Sequence, residues 1–238
     1  EVLPDTLVVV DEASMLDLPT LYRILMHLPD GVRMLLVGDP AQLPPIGFGL
    51  AFHRLVGSPR VPQAHLSTVH RQAASSGIPA VATDVREHRV PTFVPFAGRH
   101  SGVSFIECPA DAVMQQLREL QRLWHGDDWQ VLSAVKDGRA GIRNINESAH
   151  AETCERADAG IGQFIAGEPV IHLVNDYERG LMNGALGRVI ASSDDGCLEL
   201  EFDGERHTFS AGELVDRVDL AYAISVHKAQ GSEYPAVV

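Results

Sequence analysis

Lysine is nearly missing from this sequence. Its 238 residues hold only two, Lys136 and Lys228, and neither stands in a G-x-x-x-x-G-K-[ST] loop of the kind that cradles nucleotide phosphates. Cysteine is scarce too. Cys108, Cys154 and Cys197 are odd in number and far apart, which argues against a disulfide framework and for a reducing, cytoplasmic setting. No apolar stretch approaches the roughly 20 residues of a membrane span, and no charged-then-apolar leader opens the chain. Internal repeats and low-complexity tracts are also lacking. The formal net charge of −13 speaks against tight charge-driven binding of nucleic acid by the chain as a whole, because phosphate neutralisation supplies much of such affinity. It leaves a single local groove open. What is present is ordinary for a globular protein, at 45% hydrophobic and 21% charged residues, with length for one large or two modest domains.

Two segments carry the strongest chemical signal. Val8-Val9-Val10 stops on Asp11-Glu12-Ala13-Ser14, and Met34-Leu35-Leu36-Val37 stops on Gly38-Asp39-Pro40-Ala41-Gln42. An apolar strand ending on carboxylates is how a nucleotide-hydrolysing α/β core presents Mg²⁺ and water at the carboxyl edge of its sheet. Thr6–Val10 and Arg33–Val37 read as fully buried strands. Asp17 with Pro19 starts a helix striped by Leu21, Ile24, Leu25 and Leu28, and the β-α-β order predicts a parallel sheet. Further expectations are a helix near 49–56, a strand at Ala64–Thr68 and a helix at 78–88.

A second unit is expected from about Ser101. It has a strand at Val103–Glu107, a helix within Asp111–Leu123, a strand at Trp129–Val135 and a helix near 142–150. From about 165 the texture turns to short β runs (Val170–Val174, Gly187–Ala191, Leu198–Phe202, Arg206–Phe209), with turn signals at Asn183-Gly184 and Asp203-Gly204. That pattern predicts a small antiparallel barrel. The chain opens straight into a strand and ends on Pro235-Ala236-Val237-Val238, the first half of another, so both ends are expected to lie inside a longer polypeptide.

These residues resemble superfamily 1 helicases of the RecD/TraA type, the group of the exodeoxyribonuclease V alpha subunit. Val9–Met15 resembles helicase motif II, Leu36–Pro45 motif III, His70-Arg71-Gln72-Ala73 motif IV and Ser225–Glu233 motif V. Gln130–Arg139 is similar to the first strand and loop of the second RecA-like lobe, and Glu168–Val189 to an SH3-like insertion. Motif I upstream and motif VI downstream are missing. The resemblance implies an α/β fold of P-loop NTPase (RecA-like) lobes with parallel sheets, residues 1–100 being the rear of the first lobe and 101–238 the second, with an SH3-like β-barrel insertion at 165–217. It implies ATP and Mg²⁺ as cofactors, single-stranded DNA as partner, 5′ to 3′ translocation, nuclease or helicase subunits of a larger complex as further partners, and no membrane.

Each implied role has a plainer alternative. Asp11 and Glu12 could cap the next helix; the resemblance has Asp11 holding Mg²⁺ through water and Glu12 polarising the attacking water. Gln42 is either a loop amide or the sensor of the γ-phosphate. Arg71 is either a surface cation or an arginine finger. Ser225, His227 and Gln230 read as contacts to a single-strand backbone, with Lys228 adding a phosphate contact. Gly231 permits close backbone approach, and Glu233 would face the nucleotide ribose. His227 lacks neighbours with metal-ligand spacing. Two other functions compete: the helicase portion of a conjugative relaxase, and a non-catalytic scaffold that keeps the fold. The intact set Asp11, Glu12, Gln42 and Arg71 argues against the scaffold.

Overall fold

The computed structural model describes residues 5–66, 76–99, 101–124, 129–159, 164–193 and 196–238. The chain forms two compact units, residues 1–96 with 100–105, and residues 97–99 with 106–238.

In the first unit, β1 (Leu7–Val10) and β2 (Arg33–Leu36) pair in parallel, with Leu7 opposite Arg33 and Val10 opposite Leu36. Between them runs α1 (Leu18–His27). Its start is set by Asp17, whose carboxylate accepts a hydrogen bond from Thr20 N at 2.8 Å, with Pro19 in the first turn. The helices α2 (Ala51–Val56) and α3 (Ile78–Arg86) follow. One face of the strand pair, bearing Val10, Met34 and Leu36, packs with Leu16, Leu21, Ile24 and Ala51.

The other face corrects the sequence expectation. Leu7 and Val9 are 51% and 55% exposed, so neither strand is fully buried. A parallel strand is buried on both faces only where elements cover both, and α1 and α2 cover one. Two further strand expectations also differ from the structure in the residues described. Residues 64–66 have no strand conformation, and 67–68 lie outside the described residues. Val103–Glu107 is reduced to a single bridge between Ser104 and Val94, with Val94 N donating to Val103 O and Phe93 stacked on Phe105 at 5.6 Å between ring centroids. These contacts tie 101–105 to the first unit.

The second unit contains two sheets. In the first, β3 (Val131–Ser133) lies parallel to β9 (Ala223–Ser225), with Val131 opposite Ala223. Residues 236–238 add to the other side of β3 through Gln130 N to Ala236 O and Leu132 N to Val238 O. Helices α4 (Val113–Gln121) and α5 (Ile142–Ala157) accompany them, and Leu117, Val131, Ile145 and Ala223 form their core.

The second sheet is antiparallel and five-stranded: β4 (Pro169–His172), β5 (Leu186–Ser192), β6 (Leu198–Phe202), β7 (Glu205–Phe209) and β8 (Val218–Leu220), in the order β7-β6-β5-β4-β8. Among the described residues β7 and β8 are open edges, so the sheet is not closed by pairing. Its inner face alternates along β6, where Leu198, Leu200 and Phe202 are buried, and is completed by Val170, Val189 and Phe209. Asp203 and Gly204 both have positive φ (50° and 81°) and join β6 to β7 as a two-residue turn. The short helix α6 (Ala211–Arg217) opens on a capping box of Ser210 and Glu213.

Two residues separate β8 from β9, so the chain leaves one sheet and enters the other at once. Buried amides satisfy the backbone there. Asn146 of α5 donates to Leu220 O and accepts from Ala223 N at 2.7 Å, and Gln130 donates to Ala221 O. Beside them the buried Glu168 carboxylate accepts from Ile165 N and Tyr222 OH, both at 2.8 Å, and lies 2.7 Å from His150 Nδ1. Burial, together with the neighbouring Glu168 carboxylate, pushes the Tyr222 phenol above its ordinary range.

Candidate functional site

Because β1 and β2 are parallel and in register, the segments that follow them emerge at one edge. Asp11 and Glu12 follow β1; Gly38, Asp39 and Gln42 follow β2. Two hydrogen bonds lock the loops together: Val37 N to Val10 O at 2.9 Å, and Ala13 N to Val37 O at 2.8 Å. Glu12 adopts a left-handed conformation (φ 49°, ψ 37°). That conformation costs a non-glycine residue roughly 1–2 kcal/mol and is a feature found at functional sites. Asp11 accepts from Glu12 N at 2.8 Å, and both side chains are exposed. On the neighbouring loop the Asp39 carboxylate accepts from Ala41 N, and Asp39 O from Gln42 N, a tight turn that presents Gln42 at the surface.

Two members of this site carry no signal at the level of single residues. A Cβ at Gly38 would lie 2.8 Å from Ser14 N and 3.2 Å from Phe52 Cζ, so only glycine permits the two loops to touch. Ser14 is fully buried, and its hydroxyl has no hydrogen-bond partner among the described residues. Motif order alone marks both. Arg71, with His70 and Gln72, lies outside the described residues.

Among the described residues, no group of three or more His, Cys, Asp and Glu side chains converges on a metal position. The exposed carboxylate pair fits Mg²⁺, which is ordinarily held by one or two carboxylates together with substrate phosphates rather than by a protein cage.

The second group of candidates lies in the other unit, at the carboxyl end of β9. Ser225 caps the turn after that strand, its hydroxyl accepting from Lys228 N at 3.1 Å. Ala229 N donates to Ser225 O, and Gly231, at φ 83°, ends the turn. Ser225, His227, Lys228 and Gln230 thus share one short half-buried segment. Burial holds the Lys228 ammonium below the ordinary lysine range, with Asp219 opposing and Lys136 reinforcing the effect. Glu233 is placed elsewhere. It lines an open cavity of about 1040 Å³ with Trp129, Gln130, Tyr222 and Tyr234, at the amino ends of the same parallel strands.

The AAA domain family matches residues 1–107. The chain is 31% identical to the ATP-dependent RecD2 DNA helicase of Deinococcus radiodurans over 99% of its own length and 32% of that protein. It is 30% identical to the RecBCD enzyme subunit RecD of Mycolicibacterium smegmatis, covering 97% of this chain and 44% of the subunit. It is 26% identical to the conjugal transfer protein TraA of Agrobacterium fabrum, covering 85% and 19%. The chain therefore spans less than half the length of these relatives. In fold it is similar to the Pif1 helicase from Bacteroides crystallised with ADP-AlF3 and single-stranded DNA, at a TM-score of 0.58, 18% identity, 97% of this chain and 63% of that one. The parallel strand pairs belong to a RecA-like P-loop fold. By sequence, the chain is similar to the RecD/TraA type of superfamily 1 helicases.

Proposed function

We propose that this chain is part of an ATP-dependent DNA helicase that moves 5′ to 3′ on single-stranded DNA. Residues 1–100 supply the rear of its first RecA-like lobe and 101–238 the second, with the five-stranded sheet as an SH3-like insertion. The observation that carries the reading is the pair of parallel strands whose acid-bearing loops are locked together across Gly38. Asp11 holds Mg²⁺ through water, Glu12 polarises the attacking water, and Gln42 reports the γ-phosphate to the rest of the protein. Arg71 is the arginine finger, and Gly231 completes the nucleotide side. Bound ATP and Mg²⁺ supply the phosphoryl-transfer chemistry; the protein residues position water and balance charge. Ser225, His227, Lys228 and Gln230 hold the strand. The matches to RecD and TraA support two settings, a nuclease-bearing complex and a conjugative relaxase. Higher identity over more of the chain favours the RecD setting.

The test is phosphate release with single-stranded DNA present. This chain alone holds no cradle lysine and is expected to show no turnover of helicase size. The full-length protein is expected to show it, and Glu12→Gln to reduce it by about 10²–10⁴-fold, the usual contribution of a positioned base. Helicase-size turnover by this chain, or an active Glu12→Gln protein, contradicts the assignment.

A further inference from the structure

The acid-bearing edge of the first unit holds one polar side chain that the proposed chemistry does not use. Ser14 follows the acid pair by two residues, in the short 3-10 turn Ala13–Met15, and is 0% exposed. Its hydroxyl has no hydrogen-bond partner among the described residues. A buried hydroxyl that gives up water and gains no partner costs folding free energy. Alanine fills nearly the same space without that cost, so packing alone gives no reason for a serine. Buried polar groups left unpaired are few in native proteins, and each has a cause.

The surroundings limit what can meet this hydroxyl. At zero exposure, a partner has to come from residues already packed around Ser14. Gly38 is one of them: a Cβ there would lie 2.8 Å from Ser14 N and 3.2 Å from Ala13 N. Phe52, on the far side of Gly38, offers only an apolar ring, with Cζ 3.2 Å from the same point. The main chain at Gly38 is therefore the polar group best placed to reach Ser14.

Gly38 also stands where the loop changes character. Before it, the two loops are fixed, since Val37 N donates to Val10 O and Ala13 N to Val37 O. After it comes an exposed turn, in which Ala41 N donates to the Asp39 carboxylate and Gln42 N to Asp39 O. Glycine at the junction gives the main chain its widest choice of φ and ψ, which suits a pivot. On the other side of Ser14, Glu12 is held left-handed at φ 49°. A left-handed acid and an unpaired hydroxyl two residues apart are both unfavourable locally, and such violations concentrate at functional sites.

We propose that Ser14 is a positioning residue for the nucleotide state. When the Gln42 turn engages the γ-phosphate, the main chain at Gly38–Asp39 pivots onto the Ser14 hydroxyl and pairs with it. Ser14 thereby links the loop that holds Mg²⁺ and water to the loop that reads the γ-phosphate. The inference rests on the proposed roles of Asp11, Glu12 and Gln42, and adds a residue that touches neither nucleotide nor water. A hydroxyl unpaired in one arrangement and paired in another biases the loop toward the second by the worth of one hydrogen bond. ADP has no γ-phosphate and draws no such movement.

The experiment titrates the full-length protein calorimetrically with Mg²⁺ and ADP, and with Mg²⁺ and an ATP analogue whose β,γ-bridge is a methylene group. Ser14→Ala is expected to weaken binding of the analogue by about 3- to 10-fold, the worth of one neutral hydrogen bond, and to leave ADP affinity unchanged. Without nucleotide, its melting temperature is expected to equal or exceed that of wild type, because truncation removes an unpaired group. Wild-type affinity for the analogue overturns the inference. So does an equal loss for both nucleotides or a lower nucleotide-free melting temperature, either of which makes the hydroxyl a structural group already paired. Glu12→Gln separates the two levels of the argument. If it abolishes turnover while Ser14→Ala is silent, the present inference fails alone. If the wild-type protein binds neither nucleotide, or Glu12→Gln stays active, the proposed function fails and this inference with it.

Discussion

The two units handle their hydrophobic sheets in opposite ways. In the first, β1 and β2 bury one face and leave Leu7, Val9, Leu35 and Val37 exposed by 43–55% on the other. In the second, the five-stranded sheet closes its inner face over Val170, Val189, Leu200, Phe202 and Phe209, each at most 1% exposed. The carboxylates that suit phosphoryl transfer therefore sit on the less self-sufficient scaffold. The more self-sufficient one carries polar pins, Glu168 with Tyr222 and Asp176 with two arginines. Under the proposed function, chemistry and stability are separated along the chain. Changes in the first unit should register mainly in turnover, and changes in the second mainly in folding.

The largest expected effect tests the chemical side. In the full-length protein, Arg71→Ala is expected to lower ATP turnover by about 10³-fold or more while leaving nucleotide affinity nearly intact, because a finger acts mainly on charge that develops in the transition state. Paired measurements of affinity and turnover decide it. Parallel loss of both with a lower melting temperature would make Arg71 a structural cation.

A matched pair of core truncations tests the stability side. Phe202→Ala is expected to cost the second unit about 3–5 kcal/mol, and Val9→Ala less than about 1 kcal/mol, being half exposed. Denaturant titration of each variant would show the contrast, and similar losses would erase the distinction between the units. Gly38→Ala is expected to fall between them, at about 1–3 kcal/mol from forced separation of the two acid-bearing loops. Its sharper readout is in turnover of the full-length protein, since Ser14 N and the Glu12 turn must shift to admit the methyl group.

The smallest expected effect depends on pH. Hydrogen bonds from Ser210 N and then Arg179 hold the Glu213 carboxyl down at about 2, from an ordinary value of 4.5. A depressed acid stabilises the fold above its unfolded value, and that contribution is lost as pH falls through the folded value. Glu213→Gln is therefore expected to flatten the stability profile between about pH 4.5 and 2 and to leave the profile above pH 6 parallel to wild type. Circular dichroism across that range checks it. An unchanged acid limb would mean that other groups, Asp176 with its arginines among them, carry the acid sensitivity. Burial also keeps His172, wedged between Phe202 and Phe209, below the ordinary histidine value. It therefore adds a separate loss beginning as pH falls below about 6.5.

Much of the secondary structure was legible locally. Asp17-Leu18-Pro19 announced α1, Asp203-Gly204 announced the β6–β7 turn, and Leu198–Phe202 read correctly as a strand, because capping, positive φ and period-2 alternation are properties of a few adjacent residues. Two strands were misread for the converse reason. Val103–Glu107 has strand composition, but only Ser104 finds a partner, since pairing depends on what lies alongside. Thr6–Val10 has the composition of a buried strand and is half exposed, since apolar residues in a row do not say how many faces are covered.

Motif order determined the chemistry this chain points to: the acid pair after β1, the Gly-Asp-Pro-Ala-Gln loop after β2 and the Ser225–Gln230 segment are runs of adjacent residues whose spacing survives any arrangement of the remainder. Only the tertiary structure decided what those runs touch. It set Gly38 against Ser14, put Glu233 at the opposite end of the parallel strands from Ser225, and brought Ser133 opposite Ser225 across 92 positions of sequence. Such pairings follow from strand register and loop packing, which are set by contacts between residues far apart in the chain and leave no mark in local composition.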